Sequence, residues 1–215
     1  MYRAREICRS AVSLFMPNRC PFCDRLVGAT EYWCEDCYNK LPFIEESSEL
    51  PEHIDGIMSC CRYKGRARSA VLRMKKGSYI YAPEAFAVLM TELVGDIIQN
   101  VDIVTAVPCS FWRGVQLGYR HAERIAKDIA FRSNKPYKRL AKVSGKKLEQ
   151  KKLNREERLE NARNSYKIGD NKYILGKNIL IVDDVCTTGA TLSVIAGQLK
   201  MAGAVKVYAV TFARV

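Results

Sequence analysis

Ile179-Leu180-Ile181-Val182-Asp183-Asp184-Val185-Cys186-Thr187-Thr188-Gly189-Ala190-Thr191 is the stretch on which the fold turns. Four consecutive apolar residues read as a strand buried on both faces, the pattern of a parallel sheet. The strand is expected over 179–182, with two carboxylates at its exit and a hydroxyl-rich turn after them. A helix is expected over 190–201, broken by Ala202-Gly203, and a second strand over 205–212. Together these make a βαβ unit. The free N–H groups and positive dipole end at residues 187–191 suit an anion, and Thr187, Thr188 and Thr191 add hydroxyl donors. Gly189 allows close backbone approach, and Ala190 opens the helix. Two aspartates would repel a phosphate, but Asp183 and Asp184 suit neighbouring sugar hydroxyls as acceptors. The expected ligand is therefore a sugar phosphate. The plainer alternative is a strand-to-helix turn in which Asp and Thr act only as caps.

Working outward, a strand is expected at 57–63 and a helix at 66–75, with Ala67, Ala70, Val71 and Met74 forming one stripe. A buried helix follows over 84–98, then a strand over 103–107 closed by Pro108, and a helix over 122–131. This alternation implies an α/β class with a parallel sheet flanked by helices and a ligand at the carboxyl ends of its strands. Residues 135–163 carry eleven Lys or Arg against four Glu and read as a mobile basic flap or short helices. No Gly-x-x-x-x-Gly-Lys-Ser/Thr run occurs, which excludes a P-loop ATPase.

Upstream, a short helix is expected within residues 1–17, from Ile7, Ala11, Leu14 and Phe15. Residues 18–40 are poor in apolar residues and contain Cys20-Pro21-Phe22-Cys23 and Cys34-Glu35-Asp36-Cys37. Two C-x2-C knuckles ten residues apart bring Cys20, Cys23, Cys34 and Cys37 within reach of one tetrahedral zinc ion. Four ligands leave no open position, so the expected metal is structural. A redox role for either pair is the alternative, but that role belongs beside a βαβ pattern. Residues 41–56 read as an acidic linker that includes His53, and the α/β domain as 57–215. Cys8, Cys60, Cys61, Cys109 and Cys186 are expected as buried small hydrophobes.

The chain has 215 residues, a net charge of +12 and 48% hydrophobic residues, which excludes disordered and collagen-like classes. No apolar run approaches the roughly 18 residues of a membrane span, and the N-terminus lacks a small-residue cleavage site. A cytosolic location is expected, and reduced surroundings favour metal ligands or buried thiols for an odd count of 9 cysteines. Residues 101–163 carry 16 basic and 7 acidic side chains, nine of the twelve excess charges. A field of that sign suits a phosphate-rich partner.

The thirteen-residue stretch resembles the signature of the type I phosphoribosyltransferases at every position. That resemblance implies that Asp183 and Asp184 face the ribose hydroxyls of phosphoribosyl pyrophosphate (PRPP), while Thr187, Thr188, Gly189, Ala190 and Thr191 hold its 5-phosphate. Magnesium would ride on the pyrophosphate. A ribbon of four cysteines before such a domain resembles the ComF family of competence proteins over nearly the whole chain. Tyr63-Lys64-Gly65 to Lys75, Ala106-Val107-Pro108 and Gln150 to Tyr166 fit that family's running pattern. One departure is Leu117-Gly118-Tyr119-Arg120-His121, where the family usually has Arg-Gly-Phe-Asn-Gln. His121 is expected as a solvated residue at a helix start.

The resemblance implies a role at the cytosolic end of DNA uptake. In this reading the pocket binds PRPP or a nucleotide, and the basic segment, through Lys146, Lys147, Lys151 and Lys152, tracks single-stranded DNA. A solvated helical face with pairs such as Lys152/Glu156 is the plainer reading of that segment. Two alternatives stand beside it. One is an active PRPP-dependent phosphoribosyltransferase of nucleotide metabolism, with Asp183 and Asp184 at its catalytic centre. The other is a scaffold whose zinc ribbon docks a DNA-uptake helicase.

Overall fold

The computed structural model of the chain describes residues 18–44, 50–77, 81–109, 120–144 and 165–215. Its elements, in chain order, are α1 (Glu35–Tyr38), β1 (Gly56–Arg62), α2 (Gly65–Lys75), α3 (Ala82–Leu93), β2 (Ile103–Ala106), α4 (His121–Arg132), β3 (Ala141–Val143), β4 (Tyr166–Ile168), β5 (Asn178–Cys186), α5 (Ala190–Met201) and β6 (Lys206–Arg214). The main sheet has the order β1-β6-β5-β2 and every pair in it is parallel.

Strand alternation sorts the side chains of β5 to two covered faces. Leu180 and Val182 join Val210, Phe212 and Val104 beneath α3 and α4, while Ile179 and Ile181 join Val207 and Ala209 against Leu192, Ile195 and Leu199 of α5. Burial on both faces is what the apolar run in β5 requires. β5 is nonetheless longer than the apolar run implied. It continues to Cys186, so both aspartates lie within the strand rather than beyond it. The reason is pairing: β6 runs alongside, with Asp183 opposite Thr211 and Val185 opposite Ala213.

The helix expected over 84–98 ends at Leu93, and a short 3-10 turn follows at Ile98–Asn100. Gly95, a poor helix former, lies in the break. A second difference concerns residues 135–163. Within their described part, Tyr137 bridges Val104 in parallel and β3 pairs antiparallel with β4. Leu140 and Ala141, 3% and 0% exposed, anchor this arm among Ile174, Ile179 and Ile181. These two apolar residues seat 135–144 on the core, and the rest of the segment expected as a basic flap, 145–163, lies outside the described residues. Lys146, Lys147, Lys151, Lys152 and Leu117 lie outside the described residues, as do Cys8 and the helix expected within 1–17.

The cysteine module shares the main core. Phe22, 2% exposed, sits 6.3 Å from the rings of both Phe86 and Phe212, which themselves stack at 3.7 Å. Residues 42–44 pair with the outer edge of β1: Arg62 N–H donates to the Pro42 carbonyl and Ile44 N–H to that of Cys60. Arg132 of α4, almost fully buried, donates to Asp128 at 2.8 Å, to the Tyr32 hydroxyl at 3.1 Å and to Glu84 at 3.4 Å. That contact ties the module to two helices of the α/β layer.

Candidate functional site

The acidic pair stands at the carboxyl end of β5, the end at which open parallel sheets bind ligands. Asp184 shares the face of Leu180 and Val182 and is 8% exposed, yet it meets a cation: Lys75 Nζ, at the last residue of α2, lies 3.0 Å from its carboxylate. Asp183 is half-buried, and its carboxylate accepts the Asp184 N–H at 2.8 Å. Burial, and then the charge of Asp184, push the Asp183 carboxyl up to about 8. The site thus keeps two carboxylates close together, one paired and one holding its proton over much of the physiological range.

Beyond β5 the chain turns through Thr187 and Thr188, both exposed, to Gly189. Gly189 adopts φ +76°, a left-handed conformation that glycine takes without strain. A Cβ there would lie 2.7 Å from Pro51 Cγ, so the loop can take no side chain at this point. α5 starts at Ala190, with Thr191 half-buried in its first turn, and its opening N–H groups lack intrahelical carbonyl partners. The structure therefore brings Asp183, Asp184, Thr187, Thr188, Gly189, Ala190 and Thr191 into one strand, loop and helix start. Chemically it offers paired acceptors beside an anion-favouring helix N-terminus.

His121 departs from expectation. It opens α4 with only 9% of its surface exposed, rather than standing in solvent. Burial pushes its imidazole down from the ordinary value, against the opposing charge of Asp184 and with help from Lys75 and Arg124. The cause lies in the fold, since α4 packs on β2 and β5 over the face that carries Asp184. Cys109 is also corrected. It is exposed, whereas Cys60, Cys61 and Cys186 are buried as expected.

Cys109 lines a cavity of about 230 Å³ next to the site, together with Arg120, Glu123, Tyr137, Arg139 and Lys142. Glu123 holds three cations: Arg139 at 2.7 Å, Lys127 at 2.9 Å and Arg120 at 3.5 Å. Burial alone would raise its carboxyl, but the bonds from Lys127 and Arg139 hold it down at about 2. Sequence reasoning missed Lys75 and Arg139 because their partners, Asp184 and Glu123, meet them only in the fold, whereas Arg120 and Lys127 stand at i,i+3 and i,i+4 spacing from Glu123 and could have been read locally.

In the ribbon, ligand atoms of Cys20, Cys23, Cys34 and Cys37 all lie within 4.8 Å of one another, and the Cys23 and Cys34 sulfurs are 3.6 Å apart. Burial and the neighbouring thiols push Cys37 well above the ordinary thiol range. Four sulfurs this close, two of them on buried residues, cannot all ionise without a cation among them, and a divalent ion reverses that balance. A zinc ion fits this donor set and would fold the knuckles around it. Polar contacts join the ribbon to α2 as well. Arg66 donates to Cys37 Sγ and to Asp36, and Arg73 donates to the Phe22 carbonyl. No helix among the described residues is long and apolar enough to cross a membrane.

Comparison with known proteins agrees with this architecture. A double zinc ribbon domain matches residues 11–48, and a phosphoribosyl transferase domain matches residues 80–215. No curated protein sequence matches the chain. Among solved structures, a purine phosphoribosyltransferase from Pyrococcus horikoshii Ot3 is 16% identical, with a TM-score of 0.38 over 61% of this chain and 81% of that one. The allosteric regulatory enzyme of purine biosynthesis is 21% identical, with a TM-score of 0.44 over 60% of this chain and 26% of that one. With its second domain match spanning more than half its length, the chain belongs to the phosphoribosyl transferase domain family, preceded here by a double zinc ribbon.

Proposed function

We propose that the protein binds the ribose-phosphate part of PRPP or a nucleotide at the end of β5, and that it is a ComF-like protein acting on incoming DNA in natural competence. The supporting observation is that Asp183 and Asp184 lie near the carboxyl end of β5, just before a loop of exposed Thr187 and Thr188 and buried Gly189 that opens a twelve-residue helix. The carboxylates accept from ribose hydroxyls, the loop and helix start take the 5-phosphate, and magnesium enters with the pyrophosphate. Calorimetric titration of the zinc-loaded protein with PRPP and magnesium tests the reading. Binding is expected in the micromolar range, about −8 kcal/mol, and Asp184→Asn is expected to abolish it. Unaltered binding by that variant would place the ligand elsewhere.

Single-stranded DNA is assigned to the basic segment, with Lys146, Lys147, Lys151 and Lys152 as its phosphate contacts. The logarithm of affinity should fall with the logarithm of salt concentration by about 0.7 per phosphate neutralised, and charge reversal at those four lysines should flatten the slope. A salt-independent affinity would remove DNA from the proposal.

The intact signature also favours a second reading, an active phosphoribosyltransferase in which a nitrogen nucleophile displaces pyrophosphate. Positioning and charge stabilisation can carry such a reaction without a dedicated acid or base. Pyrophosphate release that disappears in Asp184→Asn would select it. A zinc-loaded protein that binds a helicase but neither PRPP nor DNA would select a scaffold.

A further inference from the structure

We infer that Lys75 is a ligand-binding residue of the acidic site and that the zinc ribbon positions it, an inference that rests on the sugar-phosphate reading above. α2 is a strut with both ends engaged. Near its start, Arg66 Nη1 lies 3.0 Å from Cys37 Sγ and 3.0 Å from the Asp36 carboxylate. Seven residues on, and so on the same helical face, Arg73 donates to the Phe22 carbonyl at 3.1 Å. One arginine thus grips the second C-x2-C knuckle and the other grips the first. Ala67, Ala70, Val71 and Met74, each 0% exposed, seat the helix on the core between these contacts. The last residue of the strut, Lys75, meets Asp184 at 3.0 Å.

The exchange chemistry follows from that pair. A ribose hydroxyl that donates to Asp184 displaces the Lys75 ammonium, which is 42% exposed and free to turn toward the site mouth. The new anions there are the phosphate oxygens of the same ligand, and an ammonium binds them as a compact point charge. Lys75 therefore guards Asp184 in the free protein and grips phosphate in the complex. At the other end, a zinc centre held by four thiolates carries two net negative charges, which attract the Arg66 guanidinium. Folding of the ribbon around its metal then fixes the point from which Lys75 reaches. Arg66 and Arg73 are positioning residues, since they act through α2.

Zinc-loaded full-length protein, with its zinc content confirmed for each variant, is titrated with PRPP and magnesium. Lys75→Met should weaken binding about tenfold or more, the worth of one charge-assisted hydrogen bond, and Lys75→Arg should restore most of it. Arg66→Gln should weaken binding about threefold, and adding it to Lys75→Met should weaken binding no further, since residues that act through one another are not additive. Full additivity would overturn the coupling, and unweakened binding by Lys75→Met would overturn the binding role. A second readout needs no ligand: the rate of Lys75 acetylation by acetic anhydride, followed by mass spectrometry, should rise severalfold in Arg66→Gln. An unchanged rate overturns the coupling whatever PRPP does. If the wild type fails to bind PRPP while that rate does rise, the sugar-phosphate reading and the binding role of Lys75 both fall, and the positioning of Lys75 by the ribbon stands.

Discussion

Cys37→Ser is expected to remove the zinc ion and to lower the melting temperature of the whole chain by on the order of 10 °C or more. A structural zinc site supplies about 10 kcal/mol or more of binding free energy at neutral pH, and in a small module that energy is folding energy. Cys37 is the ligand to change because it is fully buried and is also the sulfur that Arg66 approaches. The damage should not stop at the ribbon. Phe22 lies in the first knuckle and packs on Phe86 of α3 and Phe212 of β6, so unfolding the knuckle bares apolar surface on the α/β layer. Removing a buried Phe side chain alone costs about 3–5 kcal/mol. At about 2–4 °C per kcal/mol for a chain of this size, several kcal/mol give the stated fall. Zinc release measured with a colorimetric chelator and a thermal melt check the two halves. A variant that loses zinc but melts with the wild type would mean that the ribbon stands on its apolar contacts alone.

The parts of the structure that could be read in advance are those written in contiguous residues. Ile179 to Thr191 encodes a buried strand, a turn and a helix start in one run, and Ala190–Met201 forms as expected. The two knuckles are equally local, since the spacing of four cysteines determines what they can surround. Three-residue strands have no period to detect, so the pairing of β3 with β4 across 25 residues left no local mark. The limits of β5 depended on β6, which lends it a partner past the last apolar residue. His121 looked like a surface residue because its own neighbours are polar, whereas its burial comes from elements far away in sequence. Lys75 and Asp184 are 109 positions apart, and nothing near either residue announces the other. The ribbon looked self-contained because its own composition is polar, but Cys20, Phe22, Cys37 and Leu41 join the main core.

Asp183→Asn is expected to stabilise the fold at alkaline pH while eliminating ligand binding, two effects of opposite sign from one substitution. The Asp183 carboxyl ordinarily titrates at 3.8, and in the native protein burial, followed by the charge of Asp184, pushes it up to about 8. Between those values the native state keeps a proton that the unfolded chain has released. Stability therefore falls as pH rises from about 4 to about 8 and levels off above that. Asparagine does not titrate, so the melting temperatures of variant and wild type should converge near pH 4 and separate by about a few degrees at about pH 8.5, with the variant higher. Binding should run the other way. An ionised carboxylate is the better acceptor for ribose hydroxyls, so wild-type affinity for PRPP should strengthen as pH rises through about 8, while the variant stays weak at every pH. A carboxylate kept only for packing would lose nothing on substitution, and one kept only for a structural hydrogen bond would melt lower without its charge. Higher stability together with lost binding is the mark of a group held against its own desolvation for a ligand. Melting curves and titrations across roughly pH 5–9 separate the three cases. A lower melting temperature at the alkaline end, or intact binding, removes Asp183 from the site.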